Sequence, residues 1–203
     1  MELSVHDLVN IESGSDLLFT KPKSNWVKTA LERAPFVVVR RAPIKDNFIP
    51  VGIRGSVRSE RLAALLPANR IKKRVTPEQI AQKRDWIHRD KDIFKHLNEI
   101  ENIMENHSIC WGPVGSVGFE LASNVSTVTE NSDIDIIIRY TPSLSSLLAK
   151  KLMNKLKRIP IHIDVQVEAK VGSFSLKEFA CSAQNKVMFR TINGPILKSV
   201  QEI

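Results

Sequence analysis

The sequence predicts an α+β protein: a small basic α+β unit over residues 1–74, then a domain over 75–203 whose helices pack on a mixed sheet. Thr76-Pro77-Glu78-Gln79 marks a helix start, with Thr at the cap, Pro at the first helical position and Gln three residues after the cap. Beyond it, segments of strand period alternate with segments of helical period, the pattern of a sheet with helices packed on it. Before it, two helical stretches flank two β-rich ones. At 203 residues the chain makes one large domain or two small ones and buries a real core.

In the first segment Trp26 to Arg33 reads as a helix and Pro35 to Arg41 as a strand. Phe48 to Gly55 reads as a second strand, placed at a sheet edge by Pro50, Gly52 and Gly55. Ser59 to Leu66 reads as a short helix stopped by Pro67. After Thr76 an apolar stripe runs through Ile80, Ile87, Phe94, Leu97, Ile100 and Met104, with a helix break before Ile93. Trp86 and His88 within it read as packing and solvated surface. Ile109 to Trp111 is then a short strand, Val117 to Ser123 a helix and Asp133 to Tyr140 a strand. Leu144, Leu147, Leu148, Leu152 and Leu156 mark an amphipathic helix backed by Lys150, Lys151, Lys155 and Lys157. Ile161 to Glu168 alternates strictly, with Ile161, Ile163, Val165 and Val167 on the core face and His162, Asp164, Gln166 and Glu168 on the other. Ser175 to Ala183 reads as a helix and Val187 to Thr191 as the last strand.

A net charge of +8 favours anionic partners without choosing among nucleic acid, polyphosphate and acidic protein. Cys110 and Cys181, the two cysteines, sit in apolar contexts that suit buried, reduced thiols. They make no zinc motif with the scattered histidines. The N-terminus shows no signal-peptide pattern, and the longest apolar runs are far too short to span a bilayer. The expectation is a cytoplasmic protein.

Asp133-Ile134-Asp135 carries the most chemistry. A strand sends both carboxylates to one face, where they repel each other and lose solvation if covered. A hard divalent cation, Mg²⁺ foremost, removes that cost and leaves positions for phosphate oxygens. Surface carboxylates guarding a strand edge are the plain alternative. Asp135 lies inside the β-branched run Ile134 to Ile138, and Gly115-Ser116 upstream can cradle phosphate at a helix N-terminus, which favours the metal reading. If the Ile161–Val167 strand pairs beside this one, Asp164 projects toward the same cation; its alternation shows only that it leaves the core face. Glu168 shares that face as a lesser candidate. Such a site suits nucleotidyl transfer: metal-held triphosphate, loss of pyrophosphate, and Asp164 accepting the attacking hydroxyl's proton. Arg40, Arg41, Arg54, Arg58 and Arg61 are solvated surface or a phosphate clamp, with Arg54-Gly55-x-x-Arg58-x-x-Arg61 the best clamp candidate. Few aromatics interleave with these charges, which disfavours single-stranded nucleic acid.

Gly115-Ser116 followed by Asp133-x-Asp135 resembles the polymerase-β-like nucleotidyltransferase superfamily, with a longer interval between the motifs than usual. The run Trp111-Gly112-Pro113-Val114-Gly115-Ser116-Val117-Gly118-Phe119-Glu120-Leu121, then Ser132 to Asp135, more closely resembles the phosphoribosyl-dephospho-CoA transferase family of the malonate decarboxylase system. His6 to Leu8, Pro35 to Arg41, Val51 to Gly55, Asp164 to Glu168 and Thr191-x-x-Gly194-Pro195 extend the likeness over nearly the whole chain. The resemblance implies transfer of 2′-(5″-phosphoribosyl)-3′-dephospho-CoA from its triphosphate, triphosphoribosyl-dephospho-CoA, to a serine of the apo acyl-carrier protein subunit, releasing pyrophosphate. By position Asp133 and Asp135 would hold Mg²⁺, and Gly115 and Ser116 would line the triphosphate; Asp164, as a further metal or base residue, gains support from its place in a matching segment. A related nucleotidyltransferase acting on RNA, a small molecule or another carrier would keep the same carboxylates. A non-catalytic nucleic-acid binder would leave them without a purpose.

Overall fold

The computed structural model describes residues 3–44, 46–57, 59–182 and 186–200. The chain divides into two compact units, residues 1–76 with 122–127, and residues 77–121 with 128–203.

The first unit is built on five antiparallel strands: β1 (Leu8–Ile11), β2 (Phe36–Val39), β3 (Phe48–Arg54), β4 (Arg61–Pro67) and β5 (Ile71–Val75). Their order is β4-β3-β2-β1-β5. Helix α1 (Asn25–Arg33) contributes Val27 and Leu31 to a core shared with Val9, Ile11, Val37, Val39, Val51, Ile53 and Leu66. Asp7, fully buried just ahead of β1, accepts hydrogen bonds from the Ser4 N–H and from Arg74 Nε at 2.7 Å each. That pair ties the start of β1 to β5.

Two expectations fail here. Ser59–Leu66 is not a helix, because β4 pairs with β3 along seven residues, from Phe48↔Pro67 to Arg54↔Arg61. Ala63 to Leu66 are good helix formers, and the long ladder overrides that local preference. Nor is β3 an edge strand, since it lies between β4 and β2. Pro50 is tolerated because its missing N–H falls on the β2 side past the last paired residue, Val39, where the Arg40 N–H donates to the Pro50 carbonyl.

The second unit contains α2 (Pro77–Lys83), α3 (Asp92–Glu105), β6 (Trp111–Pro113), α4 (Gly115–Ser123) and β7 (Ile134–Arg139). There follow α5 (Ser146–Leu156), β8 (Ile163–Ala169), β9 (Gly172–Ser175), α6 (Leu176–Cys181), β10 (Lys186–Thr191) and β11 (Gly194–Ser199). The expected helix break before Ile93 is present, filled by a 3-10 turn over Asp85–His88. Trp86 is buried there and donates to Asn98 Oδ1, while His88 is exposed, as expected of packing and solvated surface. Ile87 and Leu147 leave their expected stripes and are exposed. The strand expected at Ile109–Trp111 lies two residues later. Val187–Thr191 is not the last strand, because β11 continues from it as a hairpin.

The sheet order is β11-β10-β9-β8-β7-β6, antiparallel throughout except for β7 and β8, which run parallel. Parallel neighbours require a crossover, and α5 supplies it. Ile134 and Ile136 to Ile138 are all buried, so β7 is covered on both faces. Phe174, Phe179 and Phe189 pack edge-on or tilted at 5.0–5.6 Å and fill the space beside α6. The result is an α+β protein with two sheet-bearing units.

Candidate active site

The β7–β8 ladder places Asp135 opposite Asp164. Paired residues of neighbouring parallel strands send their side chains to the same face, so these carboxylates leave the sheet side by side. Asp133 precedes β7 by one residue and shares the parity of Asp135. The Ile134 N–H donates to the His162 carbonyl and extends the register to this level. His162 Nδ1 stands 3.7 Å from Asp133 Oδ1, with both side chains more than half exposed. Asp164 is exposed and Asp135 half-buried. All three carboxylates thus lie at the end of the sheet where the two parallel strands begin.

The Gly115-Ser116 turn meets this edge. The Val114 N–H donates to the Asp135 carbonyl at 2.9 Å, joining the turn to β7. Gly115 has φ +62°, and a Cβ there would collide with Asp135 Oδ2 and lie 3.0 Å from Asp135 Cγ. Only glycine accepts both the left-handed backbone and that approach. Gly118 lets the first turn of α4 rest on β6, because a Cβ at this position would strike the Pro113 carbonyl. The first N–H groups of α4, ahead of the Gly118 N–H bonded to the Val114 carbonyl, emerge beside Asp135.

A buried carboxylate paired with a part-exposed lysine holds the far end of α4. Glu120, 4% exposed, accepts from Lys91 Nζ at 2.8 and 3.0 Å and from the Val128 N–H at 2.7 Å. Lys91 also donates to the Val128 carbonyl. The connection that reaches Asp133 is therefore anchored at Val128. The sequence shows Glu120 only as one residue of a longer run; a lone carboxylate among Val117, Phe119 and Leu121 was the available signal. His162 likewise carried no assigned role, although it shares a strand face with Asp164.

Among the described residues, no three His, Cys, Asp or Glu side chains converge tightly enough to hold a metal by themselves. Mg²⁺ seldom uses an all-protein cage; one or two carboxylates and substrate phosphates commonly complete its octahedron. Oxygen donors on adjacent strands, facing a glycine cradle at a helix N-terminus, fit that mode. Glu168 does not join them. It is buried, and its Oε1 accepts from Gln166 Nε2 at 2.6 Å.

Arg40, Arg41, Arg54 and Arg61 belong to the first unit. Arg54 and Arg61 are partners across the β3–β4 ladder, and the Arg40 side chain lies over Gly52. Arg58 lies outside the described residues. Neighbouring basic residues are engaged internally: Arg74 with Asp7, Arg70 with Asp16 and Lys72 with Glu12. Neither cysteine is buried, contrary to expectation; Cys110 and Cys181 both reach solvent as free thiols.

Carboxylates at strand starts beside a helix N-terminus are groups suited to phosphate chemistry, and comparison with known proteins gives the class as a transferase. The model of the phosphoribosyl-dephospho-CoA transferase MdcG C-terminal domain matches residues 79–201, and that of the N-terminal domain residues 4–77. The chain belongs to the phosphoribosyl-dephospho-CoA transferase family. A phosphoribosyl-dephospho-CoA transferase of Azotobacter vinelandii is 32% identical, covering 83% of this chain and 81% of its own. One of Pseudomonas fluorescens strain Pf0-1 is also 32% identical, over 90% of this chain and 87% of its own. One of Pseudomonas putida is 30% identical over 94% and 95%. No solved structure gives a significant match. Among the described residues no helix is long and apolar enough to cross a membrane.

Proposed function

We propose that the chain is a metal-dependent nucleotidyltransferase of the malonate decarboxylase system, acting in the cytoplasm. It moves 2′-(5″-phosphoribosyl)-3′-dephospho-CoA from its triphosphate to a serine of the apo acyl-carrier subunit. The observation that carries this reading is the Gly115 turn packed against Asp135, with Asp164 in register beside it.

In this reading the first N–H groups of α4 and the Ser116 hydroxyl bind triphosphate oxygens. Asp133 and Asp135, with Asp164, hold Mg²⁺, which when bound offsets phosphate charge and sharpens the electrophilicity of the α-phosphorus. Asp164, exposed at the start of β8, takes the proton from the carrier serine as its Oγ bonds to that phosphorus. The bond from phosphorus to the bridging oxygen breaks, and pyrophosphate leaves with the electron pair. The product is a phosphodiester. Placement supplies most of the rate, because the side chains form no covalent intermediate.

The test is direct. The chain is incubated with donor triphosphate, Mg²⁺ and apo carrier, and the carrier is weighed by mass spectrometry. Wild type adds one prosthetic group per carrier, EDTA stops it, and Asp133→Ala or Asp135→Ala lowers the rate by about 10³-fold or more with unchanged circular dichroism. Near-normal turnover in either variant removes the site; nucleotide transfer to RNA with the carrier untouched reassigns the acceptor.

A further inference from the structure

Residues 141–160 hold Lys150, Lys151, Lys155, Lys157 and Arg158 and no Asp or Glu. All five are exposed. Among the described residues neither these cations nor Lys177 has a carboxylate partner, in contrast to Arg70, Lys72 and Arg74 of the first unit. Where α5 packs on α6 there is a groove of about 380 Å³. Lys150, Asn154 and Lys157 line it from α5, Lys177 from α6, and Met153, Ala180 and Cys181 complete its lining. The one acidic residue on these helices, Glu178, accepts from the Met188 N–H.

We propose that this groove docks an acidic amphipathic helix of the apo carrier protein, which rests on the carrier reading above. Three features favour a protein surface over a small anion. The groove cations are lysines, mobile point charges without the guanidinium fork that clamps a single phosphate or carboxylate. Lys150 and Lys157 stand seven residues apart on one helix, about 10 Å along its axis, a span that matches carboxylates two turns apart on a partner helix. Met153 and Ala180, themselves largely buried, form an apolar floor between those charges on which a partner's apolar side chain can rest, as in helix-in-groove recognition. Position agrees as well. The crossover returns the chain to the end of the sheet where β7 and β8 begin, and Lys157 caps α5 seven residues before Asp164. A carrier seated here would lie by the end of α5 that leads into β8 and its Asp164.

The test compares wild type with the K150E/K157E/K177E chain, using purified apo carrier. Carrier binding is read by fluorescence anisotropy and transfer by mass spectrometry. The carrier Kd and KM rise about ten-fold, while donor KM and kcat at saturating carrier stay within about two-fold. Should the charge-reversed chain melt early, the triple Lys→Gln chain replaces it, with a rise of about three-fold expected. Unchanged carrier Kd and KM with transfer intact remove the docking surface and leave the transferase reading standing. A raised donor KM gives the groove to the donor and overturns the proposal. A wild-type chain that neither binds nor modifies the carrier removes both.

Discussion

A methyl group on Gly115 would enter the space occupied by the Asp135 carboxylate, on a backbone already at φ +62°. Gly115→Ala therefore combines two penalties. The left-handed backbone costs about 1–2 kcal/mol in stability for a residue with a Cβ. The collision turns Asp135 away from α4 and spoils the proposed phosphate contact. The expected outcome is a Tm lower by several degrees and a transfer rate reduced by about 10²-fold or more. Differential scanning calorimetry and carrier mass spectrometry measure the two separately, and a variant that loses stability alone shows that Asp135 is not held by this contact. Cys110 behaves differently. Partial burial, with the Glu78 carboxylate adding to it, pushes its thiol pKa up, so it stays protonated and a poor nucleophile near neutrality.

At the scale of single elements, α3 carries a buried carboxylate whose cost follows pH. Glu101 is 6% exposed; burial raises its pKa, Arg84 Nη2 at 2.7 Å opposes the rise and Glu105 adds to it. The folded chain therefore holds this proton to a higher pH than the unfolded chain. Stability falls as pH climbs from the ordinary carboxylate range through the raised value. Glu101→Gln keeps the shape and cannot ionise. Its Tm relative to wild type should increase between about pH 4 and neutrality. A relative Tm that falls over this interval would mean that the Arg84 pair outweighs desolvation. Elements also differ in how plainly the sequence announces them. β7 and β8 are legible from β-branched residues and alternation, although Glu168 of the expected polar face is buried and Ile161 and Ile163 of the expected core face are only half-buried. β5 is hidden, since Ile71-Lys72-Lys73-Arg74-Val75 is mostly polar and its strand character comes from pairing with β1. β4 misleads because its alanines and leucines suit a helix until β3 lies beside them. At the site, the Asp133-x-Asp135 pair and the Gly-Ser turn stand out in sequence. The neighbourhood of Asp135 with Asp164, and of Asp133 with His162, depends on one parallel register that no local pattern encodes.

Over the second unit as a whole, the proposed chemistry sits on the strands that should open least. β7 is interior, flanked by β6 and β8, and its Ile134 and Ile136 to Ile138 are at most 1% exposed. Val165 and Val167 of β8 are 5% and 0% exposed. β11 closes the opposite side as an edge strand, with Ile196 at 47% and Leu197 at 65% exposure. Burial of this kind sets the free energy of local opening, and a catalytic group is positioned only as firmly as the strand that bears it. Native-state hydrogen exchange should rank the sheet accordingly. Amides of β7 and β8 exchange slowest, near the limit of global unfolding, while those of β11 exchange about 100-fold faster or more. Equal protection across all six strands would mean that the unit opens as one block, and rigidity would then not distinguish the carboxylate edge from the rest of the sheet. Faster exchange in β7 than in β11 would place Asp135 on a mobile support and require the donor to order the site as it binds.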